Sequence, residues 1–326
     1  MKDLMLPLAA QGAPARAEVV GIDIGGTKTH LAIGYPEAVH DERTVPTSSW
    51  RTRSPQQDAA ALAHQVRDCF GEQALSLPLA VGAHGCDSTA QCRAMEQELA
   101  AHLSGPVRVV NDAELMPWSM GVSAGIGVVS GTGAIAVARD PAGNLVTSGG
   151  WGWLLGDEGG ASGIVREATR AVLAELDADR PRDPLVVRLL ASLGAGDGAE
   201  LAMALTLSNS ADSWGSHAGE VFAAADEGSP VALRVIDEAA VHLASLVQRL
   251  LERGIAADQV VAGGAVIQAQ PRLRTRFVDL LAERLPEVTV SVLDRPPVMG
   301  ALALAAAPAH SNPVSTIAIT LSEARS

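Results

Sequence analysis

Lysine, aromatic residues and long apolar runs are all scarce in this 326-residue sequence. Only Lys2 and Lys28 are lysines among 24 basic residues, and aromatic residues make up 3% of the chain. No run of eighteen apolar residues occurs, which excludes a simple membrane-spanning helix. The net charge of −13 argues against nucleic acid or an anionic membrane as a partner, and it fits a cytoplasmic protein.

Cysteine is also scarce. The three cysteines, Cys69, Cys86 and Cys92, are odd in number and form no Cys-x-x-Cys pair. This pattern indicates neither a disulfide framework nor a zinc site. Cys86 and Cys92 flank a predicted loop, where they either pack as small hydrophobic residues or contact a ligand.

Two glycine-rich turns between predicted strands are the main positive feature. The first, at Gly25 and Gly26, joins the predicted strands Val19–Ile24 and His30–Tyr35, and the second is Ser130–Gly133. Such turns are either ordinary hairpin connections or phosphate-binding loops, because backbone N–H groups without a neighbouring Cβ can reach an anion. Their repetition favours a duplicated α/β protein with one phosphate-binding hairpin in each half. The predicted phosphate-binding residues are Gly25, Gly26, Thr27, Lys28, Gly131, Thr132 and Gly133, with Thr29 as a further hydroxyl donor.

Polar residues follow the predicted buried strands. Asp23, His84 and Asp112 come at or after the strands Val19–Ile24, Leu79–Ala83 and Val107–Val110. Alternation of strands with helices predicts a parallel sheet, and ligands bind at the carboxyl ends of its strands. Asp112 is therefore either a catalytic carboxylate or the N-cap of a helix over 113–120.

The segment Gly149–Gly160, GGWGWLLGDEGG, predicts a ligand-binding loop. Six glycines, two tryptophans and an Asp-Glu pair suit a tight loop that presents polar groups beside an aromatic wall. Trp151 and Asp157 suit a sugar, whose C–H face stacks on an aromatic ring while its hydroxyls need an acceptor. Because a helix is predicted from Ala161, Asp157 could instead be its cap and Glu158 a first-turn acid.

On these motifs the sequence resembles the sugar kinase, actin and Hsp70 superfamily. Within it, the sequence from Glu18 to about Ala307 resembles the BadF/BadG/BcrA/BcrD-type ATPases and, among them, the N-acetylglucosamine kinases. The resemblance implies a duplicated α/β, actin-like ATPase (ribonuclease H-like) fold with its active site in the interdomain cleft. We expect a disordered leader over 1–17 and domains over 18–117 and 118–326, and the closing helix, 297–307, could pack back on the first domain.

The resemblance also implies site residues, with ATP and Mg²⁺ as cofactors. Asp112 corresponds to the catalytic base, Asp23 to the Mg²⁺ ligand, and Gly263 and Gly264 to the adenosine-binding element. The implied substrate-binding residues are Ser48, His84, Asp112, Thr132, Gly150, Trp151, Gly152 and Asp157. Two departures concern the sugar. Ser48-Ser49-Trp50 stands where N-acetylglucosamine kinases have Asn before Trp, and His84 stands where they have Ser.

We therefore expect a kinase that transfers the γ-phosphoryl group of ATP to a hydroxyl of an amino sugar or related hexose. The two departures predict that N-acetylglucosamine is not its best substrate. We also expect a homodimer. One alternative is an ATP-driven activator of a radical dehydratase, which needs a cysteine-bound iron–sulfur cluster. The other is a sugar-sensing regulator, although the sequence shows no basic DNA-binding segment before Glu18.

Overall fold

The computed structural model describes residues 17–308. The predicted leader therefore lies outside the described residues except for Ala17, and the unassigned stretch 311–326 lies outside them entirely. Within 17–308, no helix is both long and apolar enough to span a bilayer.

The first half of the described chain forms a five-stranded sheet. Its order is β3-β2-β1-β4-β5; the first three strands are antiparallel neighbours, and β4 and β5 extend the sheet in parallel from β1. The strands are β1 (Val19–Ile24), β2 (Lys28–Tyr35), β3 (Ala38–Pro46), β4 (Leu79–Ala83) and β5 (Val107–Val110). The helices of this half are α1 (Pro55–Phe70), α2 (Thr89–Ala100) and α3 (Leu115–Ser119). β1 lies in the centre because its apolar side chains are buried on both faces.

The second half repeats the same arrangement. Its sheet has the order β10-β9-β6-β7-β8, again with three antiparallel strands followed by two parallel ones. The strands are β6 (Ile126–Ser130), β7 (Ala134–Arg139), β8 (Leu145–Gly149), β9 (Gln259–Gly263) and β10 (Thr289–Val292). The helices are α4 (Ala161–Asp177), α5 (Pro184–Ser192), α6 (Gly198–Leu207), α7 (Ala211–Gly215), α8 (Ala218–Asp226), α9 (Pro230–Glu252), α10 (Ala265–Ala269), α11 (Pro271–Arg284) and α12 (Val298–Ala306). The predicted duplicated α/β fold is confirmed.

The third strand of each sheet was not predicted. β3 extends over Ala38–Pro46 at the edge of the first sheet. An edge strand with exposed faces needs no apolar alternation, so its charged sequence carries no strand signal. Helix α2 begins at Thr89 because the Ser88 hydroxyl caps it by accepting from the Gln91 N–H.

The closing helix α12 packs on the first sheet and on α3. Val298, Ala301 and Leu302 share a buried cluster with residues of β1, β4 and α3. Two glycines allow this close approach: a Cβ on Gly21 would lie 2.8 Å from the Leu302 nitrogen, and one on Gly300 would lie 2.0 Å from the Leu115 carbonyl oxygen. The backbone of α12 therefore packs directly on the backbone of β1 and α3.

This packing makes Gly300 sensitive to substitution. We expect Gly300→Ala to lower the free energy of unfolding by about 1–3 kcal/mol, because the new methyl group meets backbone that cannot move aside cheaply. Gly219→Ala is the matched control, since Gly219 is exposed within α8 and a Cβ there meets nothing within 4 Å. The control should be neutral or stabilising. Urea denaturation measures both; equal stability of the two variants would contradict the packing described here.

Candidate active site

A cavity of about 510 Å³ lies between the two sheets. The first half contributes Asp23 and Gly25 from the end of β1, and Asp112 from the end of β5. The second half contributes Val129 of β6 and Gly264, which follows β9. The cavity therefore stands where the carboxyl ends of strands from both halves meet, as ligand sites do in open α/β sheets.

Asp112 is not a helix cap. That role belongs to Asn111, whose side-chain oxygen accepts from the Ala113 N–H at 3.0 Å. Glu114 completes a capping box by accepting from the Asn111 N–H at 2.9 Å. The capping alternative for Asp112 is therefore wrong, and its carboxylate is available to the cavity, with Nδ1 of His84 3.6 Å away.

The carboxylates of this cavity influence one another. Burial, and then the charge of Asp112, raise the pKa of Asp23 to about 7. The interaction with Asp112 raises the pKa of His84, although burial opposes that rise. The pKa values of Asp23 and His84 are thus both raised beside Asp112, and perturbed pKa values of this kind are typical of functional sites.

The first glycine turn is exposed beside His84. The Gly25 N–H donates to the Lys28 carbonyl at 3.0 Å, and Gly26, Thr27 and Lys28 are exposed. A Cβ on Gly26 would meet only the His84 ring, at 3.8 Å. Protein packing therefore does not require glycine at position 26.

Thr29 is a structural residue rather than the exposed hydroxyl donor that we expected. It is buried, its hydroxyl lies 3.0 Å from the Thr47 hydroxyl, and it accepts from the Trp50 indole N–H at 3.2 Å. Thr47 also donates to the Gly25 carbonyl at 3.0 Å. These bonds hold the segment 47–50, which includes Ser48, against the first turn.

The second glycine turn packs against the start of α4. The Ala161 and Ser162 N–H groups donate to the carbonyls of Gly131 and Thr132, at 2.8 and 3.1 Å. The nearest neighbour of a Cβ on Gly131 would be a Val129 methyl at 3.8 Å, so this position also has open space. The Thr132 hydroxyl donates to Asp212 at 3.2 Å. Sequence reasoning missed Asp212, because it lies on α7, far along the chain.

The two glycines after β9 differ from each other. A Cβ on Gly263 would meet the Met116 sulfur at 2.4 Å, so the Met116 side chain would have to move to admit a larger residue there. Gly264 has φ of 103°, and a Cβ on it would meet the Ser130 carbonyl oxygen at 2.5 Å. Gly264 therefore lets the end of β9 lie directly behind the second glycine turn.

The loop after β8 presents Trp151 and buries Asp157. Trp151 is 76% exposed and stands between Gly150 and Gly152, whose φ angles are 73° and 83°. Asp157 is 7% exposed, has φ of 62°, and would touch a Cβ on Gly133 at 2.6 Å. Burial raises the pKa of Asp157, while the Ala134 backbone N–H lowers it. The loop thus brings a carboxylate directly against the second turn.

Neither acidic residue of this loop has the alternative role we considered. The N-cap of α4 is Gly160, and no acidic residue lies in the first turn of the helix. Asp157 as cap and Glu158 as first-turn acid are therefore wrong. Glu158 instead lies 3.1 Å from His242 of α9 and 3.6 Å from Arg166 of α4.

Arg166 holds the shape of this loop. Its guanidinium donates to the carbonyls of Trp153 and, at 2.7 Å, Gly156. With Glu158 beside it, this side chain fixes the loop segment between Trp151 and Asp157. Sequence reasoning missed Arg166, because contacts to backbone carbonyls leave no pattern in the sequence.

The structure brings together only part of the predicted site. Asp23, Gly25, Asp112 and Gly264 line one cavity. Ser48 and Trp151 are exposed, and neither of them lines that cavity. Cys86 and Cys92 are buried, with the Cys92 thiol donating to the Cys86 carbonyl at 3.6 Å.

Two equivalent sheets, each with a glycine turn near a shared cavity, define an actin-like ATPase fold of the kind found in sugar kinases. A family model described as the BadF/BadG/BcrA/BcrD ATPase family matches residues 20–305. The chain belongs to this family.

One curated relative is an N-acetylmuramic acid/N-acetylglucosamine kinase of Clostridium acetobutylicum. It is 32% identical over 166 residues, which cover 49% of this chain and 54% of the relative. The match therefore spans about half the length of that relative.

Two solved structures share the fold. A proposed N-acetylglucosamine kinase of Chromobacterium violaceum superposes with a TM-score of 0.61 at 21% identity, covering 88% of this chain and 98% of the other. A ROK family glucokinase of Streptomyces griseus, solved with glucose and AMPPNP, superposes with a TM-score of 0.53 at 18% identity, covering 89% and 98%.

The raised pKa of Asp23 predicts a pH-dependent effect of Asp23→Asn on stability. The folded-state pKa of about 7 exceeds the reference value of 3.8, so the charged carboxylate destabilises the fold above pH 7 and ceases to do so toward pH 4. We expect Asp23→Asn to raise the Tm by several degrees at about pH 8, and by less as the pH falls. Thermal denaturation without nucleotide or divalent cation measures this. Asp177→Asn, at an exposed position, is the control; a pH-independent gain for Asp23→Asn would contradict the assignment.

Proposed function

We propose that this protein is an ATP-dependent kinase that transfers the γ-phosphoryl group to a hydroxyl of an amino sugar or related hexose. One observation carries the proposal: a cavity joins Asp23 and Asp112 to both halves of the fold, beside two glycine turns. In those turns, Gly26 and Gly131 face open space, so a bound ligand accounts for glycine there better than packing does.

The phosphates of ATP would bind between the two turns. The first turn offers Gly25, Gly26, Thr27 and the exposed ammonium group of Lys28. In the second turn the Gly131 N–H donates to the Gly133 carbonyl at 3.0 Å, so the backbone N–H groups of Thr132 and Gly133 would serve the phosphates there. A second cavity, of about 290 Å³, is lined by Gly131, Asp212, Val266 and Gln270. We assign the adenosine to this side of the second turn, where Ala265 and Val266, the residues after Gly264, line the cavity.

Mg²⁺ fits the carboxylate of Asp23. This ion usually takes one or two carboxylates and completes its octahedron with water and substrate phosphates. Asp23 meets that requirement, since it lines the cavity; burial, and then the charge of Asp112, raise its pKa, and a cation bound there would oppose both effects. Mg²⁺ would neutralise charge on the phosphates and favour the ionised form of Asp23.

Asp112 would accept the proton of the attacking hydroxyl. Its carboxylate lines the cavity, and no cap bond competes for it. His84, 3.6 Å away, would contact the sugar and hold Asp112 in place. Phosphoryl transfer asks the protein chiefly for such positioning and for charge stabilisation.

The sugar would bind between the loop after β8 and the segment 47–50. Trp151 would stack on the sugar ring, and Asp157 would accept from its hydroxyls, with Thr132, Gly150 and Gly152 completing that side and Ser48 facing them. The name of the Clostridium acetobutylicum relative supports an amino sugar. Because Ser48 is shorter than the asparagine it replaces, we keep the prediction that N-acetylglucosamine is not the best substrate.

Homodimer formation and a cytoplasmic location remain parts of this proposal. Both come from sequence reasoning. Light scattering after size exclusion tests the homodimer, and fractionation of the source cells tests the location.

Asp112→Asn should abolish turnover while nucleotide binding survives. Loss of a general base lowers kcat by about 10²–10⁴-fold. The amide keeps the size of the side chain, and the Asn111–Glu114 cap is independent of it, so folding should be unaffected. ATP consumption with a panel of sugars measures turnover, and Asp177→Asn is the control. A variant within a few-fold of wild type would remove Asp112 from the chemistry.

Gly131→Val should weaken ATP binding without lowering stability. A Cβ at this position meets only a Val129 methyl group at 3.8 Å, so the new side chain enters the space that we assign to phosphate. We expect calorimetry with Mg-ATP to show a Kd at least about tenfold higher, because the phosphate can no longer reach the backbone.

Gly263→Val is the contrasting variant. The resemblance implies that Gly263 binds adenosine, but Met116 occupies the space in front of it. The Gly263→Val variant should therefore lose stability.

Unchanged ATP affinity in Gly131→Val would overturn the proposal that the second turn binds the phosphates.

A further inference from the structure

Arg51 is a buried cation with incomplete compensation. Its side chain is 8% exposed, and its Nε has no hydrogen-bond partner among residues 17–308. The nearest carboxylate oxygen, on Asp58, is 3.8 Å away. Both oxygens of Asp58 are already engaged, by the Thr52 N–H and hydroxyl at 2.7 and 3.0 Å and by the Arg53 N–H at 3.1 Å. An additional anion nearby would stabilise a buried guanidinium whose charge is only partly compensated.

Arg53 is an exposed cation on the same segment. Its backbone has φ of 66°, which is unusual for a residue other than glycine. Such backbone strain tends to occur where a side chain serves a ligand. In the part of the chain that the structure describes, its guanidinium has neither an ion pair nor a hydrogen bond.

The two guanidinium groups converge on the turn after β4. A Cβ on Gly85 would lie 3.1 Å from Nη1 of Arg53 and 4.0 Å from Nη2 of Arg51. Gly85 follows His84, which lies 3.6 Å from Asp112. Two arginines therefore stand beside the residue that follows His84, in a chain whose net charge is −13.

Among residues 17–308, Asp58 is the one carboxylate within ion-pair distance of either guanidinium, and its oxygens are saturated as described. A neutral hexose offers hydroxyl groups, which do not require two cations. Guanidinium groups match carboxylate and phosphate in both charge and geometry.

We propose that the acceptor sugar carries an anionic substituent, which the Arg53 guanidinium binds beside Gly85 while Arg51 contributes a fixed positive charge behind it. The inference rests on the proposed kinase function and narrows its substrate class. Carboxylate and phosphate substituents share the chemistry that this arrangement recognises.

Steady-state kinetics with ATP over matched sugars tests the proposal. The neutral or cationic set is N-acetylglucosamine, glucosamine and glucose; the anionic set is N-acetylmuramic acid, glucuronic acid and glucose 6-phosphate. We expect one anionic sugar to have a kcat/KM at least about tenfold higher than that of any sugar in the neutral or cationic set. The preferred anion identifies the substituent as carboxylate or phosphate. A neutral or cationic sugar with the highest kcat/KM would overturn the proposal.

Arg53→Gly is the decisive variant. It removes the guanidinium, and glycine suits φ of 66°, so folding is favoured rather than impaired. We expect kcat/KM for the anionic sugar to fall about tenfold, mainly through KM, and that for neutral sugars to change less than about twofold. Arg53→Lys should restore part of the loss, and Arg182→Gly, at another exposed arginine, is the control. Equal losses for neutral and anionic sugars would overturn the proposal.

Failure of the kinase proposal is distinguishable from failure of this inference. If no sugar is phosphorylated, the proposed function fails, and calorimetry with the same three anionic sugars then tests the anion site alone. Binding that weakens in Arg53→Gly and persists in Arg182→Gly would support the site. Binding of equal strength in wild type and Arg53→Gly, or none to wild type, would overturn it.

Discussion

A charged contact between Glu114 and Arg139 joins the two halves of the fold. Glu114 is buried after β5, and Arg139 ends β7 in the second sheet; their closest contacts are 2.6 and 3.0 Å. Burial tends to lower the pKa of Arg139, but Glu114 more than offsets this and raises it. Removing one partner would leave the other charge poorly compensated, which costs more than the pair itself contributes.

The position of Asp112 depends on this contact. Glu114 accepts from Arg139 and also from the Asn111 N–H, so one carboxylate both links the sheets and completes the capping box. With Asn111 and Glu114 satisfying the helix terminus, Asp112 points away from it toward the cavity and His84. The proposed chemistry therefore relies on an adjacent structural carboxylate.

Glycine has two separate uses around the cavity. At Gly300, Gly263 and Gly264 a Cβ would collide with neighbouring atoms of the protein, so these glycines permit close packing. At Gly26 and Gly131 a Cβ would meet nothing closer than 3.8 Å. Only the second group is explained by a ligand, and this separates structural from functional glycines within motifs that look alike in sequence.

The sequence by itself determined the duplicated α/β fold, the two glycine turns and the strands that place Asp23 and Asp112, because apolar periodicity and glycine pairs are local signals. It did not reveal the edge strands β3, whose residues are largely exposed, and β8, which is only five residues long. The cap at Asn111 is also local, and its Asn-x-x-Glu spacing is a capping-box signature that sequence reasoning overlooked. Only the tertiary structure decided that Met116 fills the space at Gly263 and that Arg166 and Asp212 reach the site. These outcomes depend on contacts between residues that are not neighbours in the chain, and a local pattern carries no record of them.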